Sequence, residues 1–159
     1  MPSLTHAPYL ATREIAPAAG RGALLERVVT EWQHVLRATL LPLELTQAQF
    51  RLLVAATWLS AHQRDVRQSD IAAQAGADPV MTSEVLRTLE SRGLVARKPH
   101  PTDGRARSVV VTEAGGQLAD RAARLVDVVE ARFFETGLPQ FGPLAKALKR
   151  GGRGEKKSE

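Results

Sequence analysis

Between residues 22 and 135 most apolar positions recur at steps of three and four, the spacing of one face of an α-helix. A first helix is expected over 22–41, where Leu24, Leu25, Val28, Val29, Trp32, Val35, Leu36, Thr39 and Leu40 form one stripe, until Pro42 ends it. The second helix begins after Thr46, a good N-cap, with Gln49 in the capping-box position, and its stripe is Phe50, Leu53, Val54, Thr57, Trp58 and Ala61. A short third helix, about 69–74, stops before Gly76. Asp78 as N-cap and Pro79 at the first helical position start a fourth helix, which runs to about Arg92 and ends at Gly93.

The period then changes from helical to alternating. Ser108 to Val111 is β-branched and strand-like, Val95 to Lys98 is its expected partner, and Pro99, Pro101, Asp103 and Gly104 supply the turn chemistry between them. Thr112 next caps a long helix to about Glu135, with Leu118, Ala122, Leu125, Val129 and Phe133 on one face. Gly137 and Pro139 break it, and a last helix carries Leu144, Ala145 and Leu148. The expected fold is mainly α with one small β-hairpin. Two short helices joined by Ala75-Gly76-Ala77 and followed by a hairpin make a winged helix-turn-helix. Residues 1–20, with Pro2, Pro8, Pro17 and Gly20, read as an arm, and 150–159, which lack any apolar side chain, as a disordered tail, leaving a single domain over 21–149.

At about 100° per residue, Thr82, Val85, Leu86 and Leu89 of the fourth helix face one side and Val80, Ser83, Glu84, Arg87, Thr88 and Ser91 the other. No bulky apolar group on the second side would block entry into a major groove. Arg87 suits guanine or phosphate, Ser83 bases or phosphates, Glu84 a cytosine amine, and Val80 a thymine methyl. A solvated helix surface has the same composition, so this helix alone leaves both readings open. The hairpin tips the balance. Arg97, Lys98, Arg105 and Arg107 crowd there against one acid, Asp103, and an arginine at a thin hairpin tip fits the minor groove. Asp103 can orient Arg105 through a charge-assisted hydrogen bond.

Composition agrees without adding specificity. The 159 residues carry 22 Lys and Arg against 17 Asp and Glu, a modest net charge of +5. With no cysteine, the chain has no disulfide framework, thiolate nucleophile or cysteine-based zinc site. Aromatic residues are only 4%, which argues against a base-stacking surface for single strands. No apolar run reaches the ~20 residues of a membrane span, and the N-terminus lacks the pattern of a secretory signal, so a cytoplasmic protein is expected. His6, His34, His62 and His100 are not paired at ligand spacing, so no metal or cofactor is expected. No nucleophile triad, phosphate loop or dinucleotide fingerprint points to an enzyme. The lone Arg150-Gly-Gly-Arg run is more simply a solvated tail than a nucleic-acid motif.

Three stretches carry a family resemblance: LTQAQFRLL (45–53), QSDIAAQAGADPVMTSEVLRTLESRGLVAR (68–97) and DGRARSVVVTEAG (103–115). The last, with Asp103, Arg105, Thr112 and Gly115, is the most specific. Together they resemble the multiple antibiotic resistance regulator (MarR) family of bacterial transcription factors. The resemblance implies an obligate homodimer on operator DNA, usually a repressor, released by a small, often aromatic or phenolic, effector. It divides the domain into a DNA-binding lobe over about 43–112 and dimerisation helices over 21–42 and 113–149. Its DNA-binding set would be Val80, Met81, Ser83, Glu84, Arg87, Arg97, Lys98, Asp103, Arg105 and Arg107. Leu25, Val28, Val129, Phe133, Leu144 and Leu148 fall in the dimer helices. Trp32 and Trp58 are expected as core or interface anchors, or else, with His34 and Arg51, as walls of the effector pocket. Three positions depart from the family. Val80 and Met81 replace the usual polar residues early in the fourth helix, and Arg67 stands where the third helix is often capped. Lack of cysteine excludes the peroxide-sensing branch. The alternatives are a winged helix that binds protein or RNA, and a ligand-binding protein without an operator.

Overall fold

The computed structural model describes residues 21–63, 65–99 and 107–136. The arm, the tip of the hairpin with Asp103 and Arg105, the expected last helix with Leu144 and Leu148, and the tail lie outside the described residues. The elements run α1 (Arg21–Leu40), a 3-10 turn (Leu41–Leu43), α2 (Gln47–His62), α3 (Gln68–Ala75), α4 (Pro79–Ser91), β1 (Val95–Pro99), β2 (Arg107–Val111), α5 (Glu113–Glu130) and one π-helical turn (Ala131–Thr136). This is the mainly α, winged helix-turn-helix order that the periodicity predicts. The chain falls into two compact units, Met1–Val35 and Leu36–Glu159. In the first, Leu25 and Val29 of α1 are exposed, and Val28 and Trp32 are half-buried.

The local signals act as expected. Thr46 Oγ1 accepts the Gln49 N–H at 3.1 Å and the Gln49 side chain accepts the Thr46 N–H at 3.0 Å, a complete capping box for α2. Asp78 Oδ1 accepts the N–H groups of Val80 and Met81 at 2.9 and 3.0 Å, and Pro79 occupies the first turn of α4, where its missing donor costs nothing. At α3 the Asp70 carboxylate accepts the Arg67 N–H at 2.9 Å, so the start of this helix is secured by its third residue.

The core of the second unit lies where α2 meets α3, α4, α5 and the hairpin. Leu52, Leu53, Ala56 and Leu59 of α2 pack with Ile71 of α3, Leu86 and Leu89 of α4, Leu94, Val95 and Val109 of the hairpin and Ala119 of α5. Here the structure corrects the expected stripe of α2. Trp58 and Ala61 are exposed, and Leu52, Ala55, Ala56 and Leu59 are buried instead. Apolar residues surround most of this helix, and neighbours cover it from several sides. Periodicity therefore does not select one face.

The hairpin is antiparallel, with Val95 opposite Val111 and Lys98 opposite Ser108. Its other edge is partly covered by the segment before α3. Arg67 bridges Ser108, and the Val109 N–H donates to the Val66 carbonyl at 2.8 Å. The hairpin is thus tied to the entry of the helix-turn-helix as well as to its exit.

The exit junction is the tightest point described. Gly93, with φ of +69°, turns the chain out of α4, and the Leu94 N–H closes the helix on the Leu89 carbonyl at 3.0 Å. The Leu94 carbonyl then accepts the Thr112 N–H at 3.1 Å. The Thr112 hydroxyl lies 2.7 Å from the Gly93 carbonyl and 3.0 Å from that of Leu94, donating between them, and accepts the Gly115 N–H at 3.0 Å as the N-cap of α5. At residue 115 a Cβ would overlap the Leu94 carbonyl oxygen and sit 2.9 Å from its carbon and 3.2 Å from Val111 Cγ1. Backbone atoms cannot yield as a flexible side chain can, so this position requires glycine. Gly115→Ala is expected to lower stability by about 3 kcal/mol, read as a fall in the urea midpoint at unchanged m-value. An unchanged midpoint would show that the helix end shifts freely.

Candidate nucleic-acid interface

The two sides of α4 separate cleanly. Thr82, Leu86 and Leu89 are fully buried, the Thr82 hydroxyl donating to the Asp78 carbonyl at 2.8 Å, while Glu84, Arg87, Thr88 and Ser91 are exposed and Val80 is 68% exposed. Ser83 is half-buried at the margin of the exposed stripe. Met81, grouped with these in the sequence reading, is half-buried and packs against the core. Its direction follows from angle: it lies about 100° from Val80 around the helix axis.

A polar cleft of about 400 Å³ opens beside this stripe, lined by Gln68, Ser83, Arg87, Glu90 and Arg97. It brings together the start of α3, the outer face of α4 and the base of the hairpin. Within it Glu90 grips Arg97 three times. The carboxylate accepts the Arg97 backbone N–H at 3.0 Å and its Nε at 2.7 Å, and Nη2 lies 2.6 Å away. A two-pronged guanidinium contact reinforced by a backbone donor fixes direction as well as distance. Arg97 therefore couples β1 to α4, while Lys98 beside it is exposed. Arg107 holds the first position of β2.

Two more arginines make internal contacts that sequence reasoning missed. Arg92, at the end of α4, donates through Nη1 to the Glu44 carbonyl at 2.6 Å and brings Nη2 within 3.9 Å of the Glu44 carboxylate. Glu44 sits at φ +53°, an unusual conformation for a residue with a side chain, so this contact holds a turn that costs energy to form. Arg51, a candidate pocket wall, instead donates from Nη2 to the Ala75 carbonyl at the end of α3. Each partner lies dozens of positions away in sequence, so no local signal announces it. Trp58 is half-exposed and stacks on His62 one turn later, with ring centroids 4.2 Å apart at 25°; His62 Nδ1 donates to the Trp58 carbonyl at 2.7 Å. His34 is exposed on α1. Val129 and Phe133 are half-buried at the end of α5 and in the turn after it, and Phe133 meets Phe134 edge to face. Among the described residues no group of three or more acidic or histidine side chains is placed to hold a metal, and no helix is long and apolar enough to cross a membrane.

This arrangement has counterparts in known proteins. A sequence profile described as the MarR family matches residues 45–106. An uncharacterised helix-turn-helix transcriptional regulator of Bacillus subtilis, YdcH, is 32% identical over 122 residues, 77% of this chain and 83% of the relative. The chain belongs to the MarR family. Among solved structures, the Rhodococcus jostii repressor CouR bound to p-coumaroyl-CoA is 28% identical and superposes with a TM-score of 0.67, covering 87% of this chain and 94% of that one. CouR bound to a 23-mer DNA duplex gives 0.69, at 28% identity, over 82% and 90%. As a MarR-family regulator the protein is not an enzyme.

The Glu90–Arg97 pair supports a quantitative expectation. Glu90→Ala leaves a largely buried guanidinium without its carboxylate and should cost about 2 kcal/mol. In a double-mutant cycle with Arg97→Ala, urea unfolding should return a coupling of about 1–2 kcal/mol. Additive losses would mean that the two side chains act independently.

Proposed function

We propose that this protein is a homodimeric, sequence-specific DNA-binding regulator, a repressor that leaves a pseudo-palindromic operator when a small aromatic or phenolic ligand binds. The observation that carries the reading is the exposed stripe of α4. It bears Val80, Ser83, Glu84 and Arg87 opposite a fully buried face, and the hairpin is braced beside it through Arg97. A helix of this kind fits the major groove, and the hairpin carrying Lys98, Asp103, Arg105 and Arg107 reaches toward the flanking minor groove. The structural neighbour CouR, solved with a 23-mer DNA duplex, supports duplex DNA as the partner.

In this reading residues 43–112 form the DNA-binding lobe, and 21–42 with 113–149 carry dimerisation. Exposed Leu25 and Val29 on α1 and Leu125 and Val128 on α5 are apolar side chains that a second subunit would cover. The phenolic acyl thioester bound by CouR supports an aromatic effector, and the Trp58–His62 stack offers a half-exposed ring to one. Arg97 contributes by holding the hairpin rather than by reading bases. Working on chromosomal operators, the protein would act in the cytoplasm.

Fluorescence anisotropy on the duplex upstream of the protein's own coding region, against a scramble and across a salt series, tests the reading. Specific binding should exceed binding to the scramble by at least a thousand-fold. Arg87→Ala should reduce specific affinity by roughly ten- to a hundred-fold, and Arg105→Ala should lower the salt slope by about one unit. Equal weak binding to every duplex would overturn the DNA reading. A monomer in sedimentation at micromolar concentration would overturn the dimer.

A further inference from the structure

On the outer stripe of α4, Val80 and Glu84 stand one helical turn apart, both exposed. Val80 is 68% exposed, and its backbone N–H is already held by Asp78 Oδ1 at 2.9 Å. Only its two methyl groups remain to meet a partner, and the core lies on the opposite side of the helix. Glu84 is exposed and forms no ion pair among the described residues.

A carboxylate facing a polyanion is repelled unless it meets a donor. In the major groove the donors are the amines of cytosine and adenine, and the adenine amine adjoins the N7 acceptor, which repels a carboxylate in turn. Cytosine offers its amine without that penalty. For an apolar side chain, the matching group on a base edge is the C5 methyl of thymine. Along the helix axis the two residues are about 6 Å apart, roughly two base-pair steps.

Building on the DNA reading above, we propose that Val80 and Glu84 are a specificity pair, Val80 reading a thymine methyl and Glu84 a cytosine amine about two steps away. The half-site then carries pyrimidines at these two contacts. Arg87 lies one further turn along the same stripe and supplies the positive charge that offsets Glu84 against the phosphates.

The test enriches duplexes from a random library with the full-length protein and then measures anisotropy on the enriched duplex. Each thymine is replaced singly by deoxyuridine, which removes only the methyl group, and each cytosine by thymine. At one thymine the deletion should weaken wild-type binding about four-fold, and Val80→Ala should be indifferent to it. At one cytosine the exchange should weaken wild-type binding roughly ten-fold, and Glu84→Ala should accept both bases. Both side chains are exposed, so both variants should keep the parental melting temperature. Wild-type affinity insensitive to every deoxyuridine, or unchanged methyl sensitivity in Val80→Ala, would overturn the Val80 assignment. A Glu84→Ala protein that keeps every base preference would overturn the Glu84 assignment. Failure to enrich any sequence would instead overturn the DNA reading itself, and this pair with it.

Discussion

The Leu94 carbonyl is where the end of α4, the end of β2 and the start of α5 converge. It accepts the Thr112 amide and shares the Thr112 hydroxyl with Gly93, and that hydroxyl in turn caps α5 at Gly115. The approach is so close that residue 115 has no room for a Cβ. One threonine and one glycine therefore set how the long helix α5 leaves the hairpin. The start of α5 is thereby bonded directly to the backbone at the base of the hairpin, in addition to the packing that both share with α2.

Charge in this molecule divides between holding and reaching. Arg51 secures the end of α3, Arg92 a strained turn before α2, and Arg97 the base of the hairpin. These three tie the elements of the helix-turn-helix to one another, Arg51 from its exposed surface and Arg92 and Arg97 from half-buried positions. The formal charge of +5 thus says little about the surface offered to a partner. The side chains facing outward on α4 are chemically varied: an apolar group, several hydroxyls, a carboxylate and a guanidinium. That variety favours discrimination over mere attraction, because uniform positive charge reads phosphates and not bases.

The Glu90–Arg97 pair has a related consequence. Hairpins with exposed arginines gain little from attraction if they swing freely, since ordering them on binding costs entropy. An arginine gripped twice through its guanidinium and once through its backbone N–H, with Val66 and Arg67 joined to the opposite edge, orders the base of the hairpin before any partner arrives.

Much of this was legible in the chain because the deciding forces are local. Thr46 with Gln49, Asp78 with Pro79, and Thr112 bond to backbone within three residues, so their helix starts can be read directly. The same holds for the buried and exposed sides of α4, where one continuous contact face imposes one clear period. Legibility failed where contacts are distant or surround an element. The stripe of α2 was misplaced because neighbours enclose that helix, and Trp58, at the edge of an apolar run, turned out to lie over His62 in solvent. By itself the sequence determined the order and kind of the elements, because helix caps, turns and periodicity act over a few residues. Only the tertiary structure decided which arginines are internal struts, why residue 115 must be glycine, and how the hairpin is braced. Each of those depends on groups brought together across the fold, as Arg92 is with Glu44 and Leu94 with Gly115, and chain spacing carries no record of such meetings.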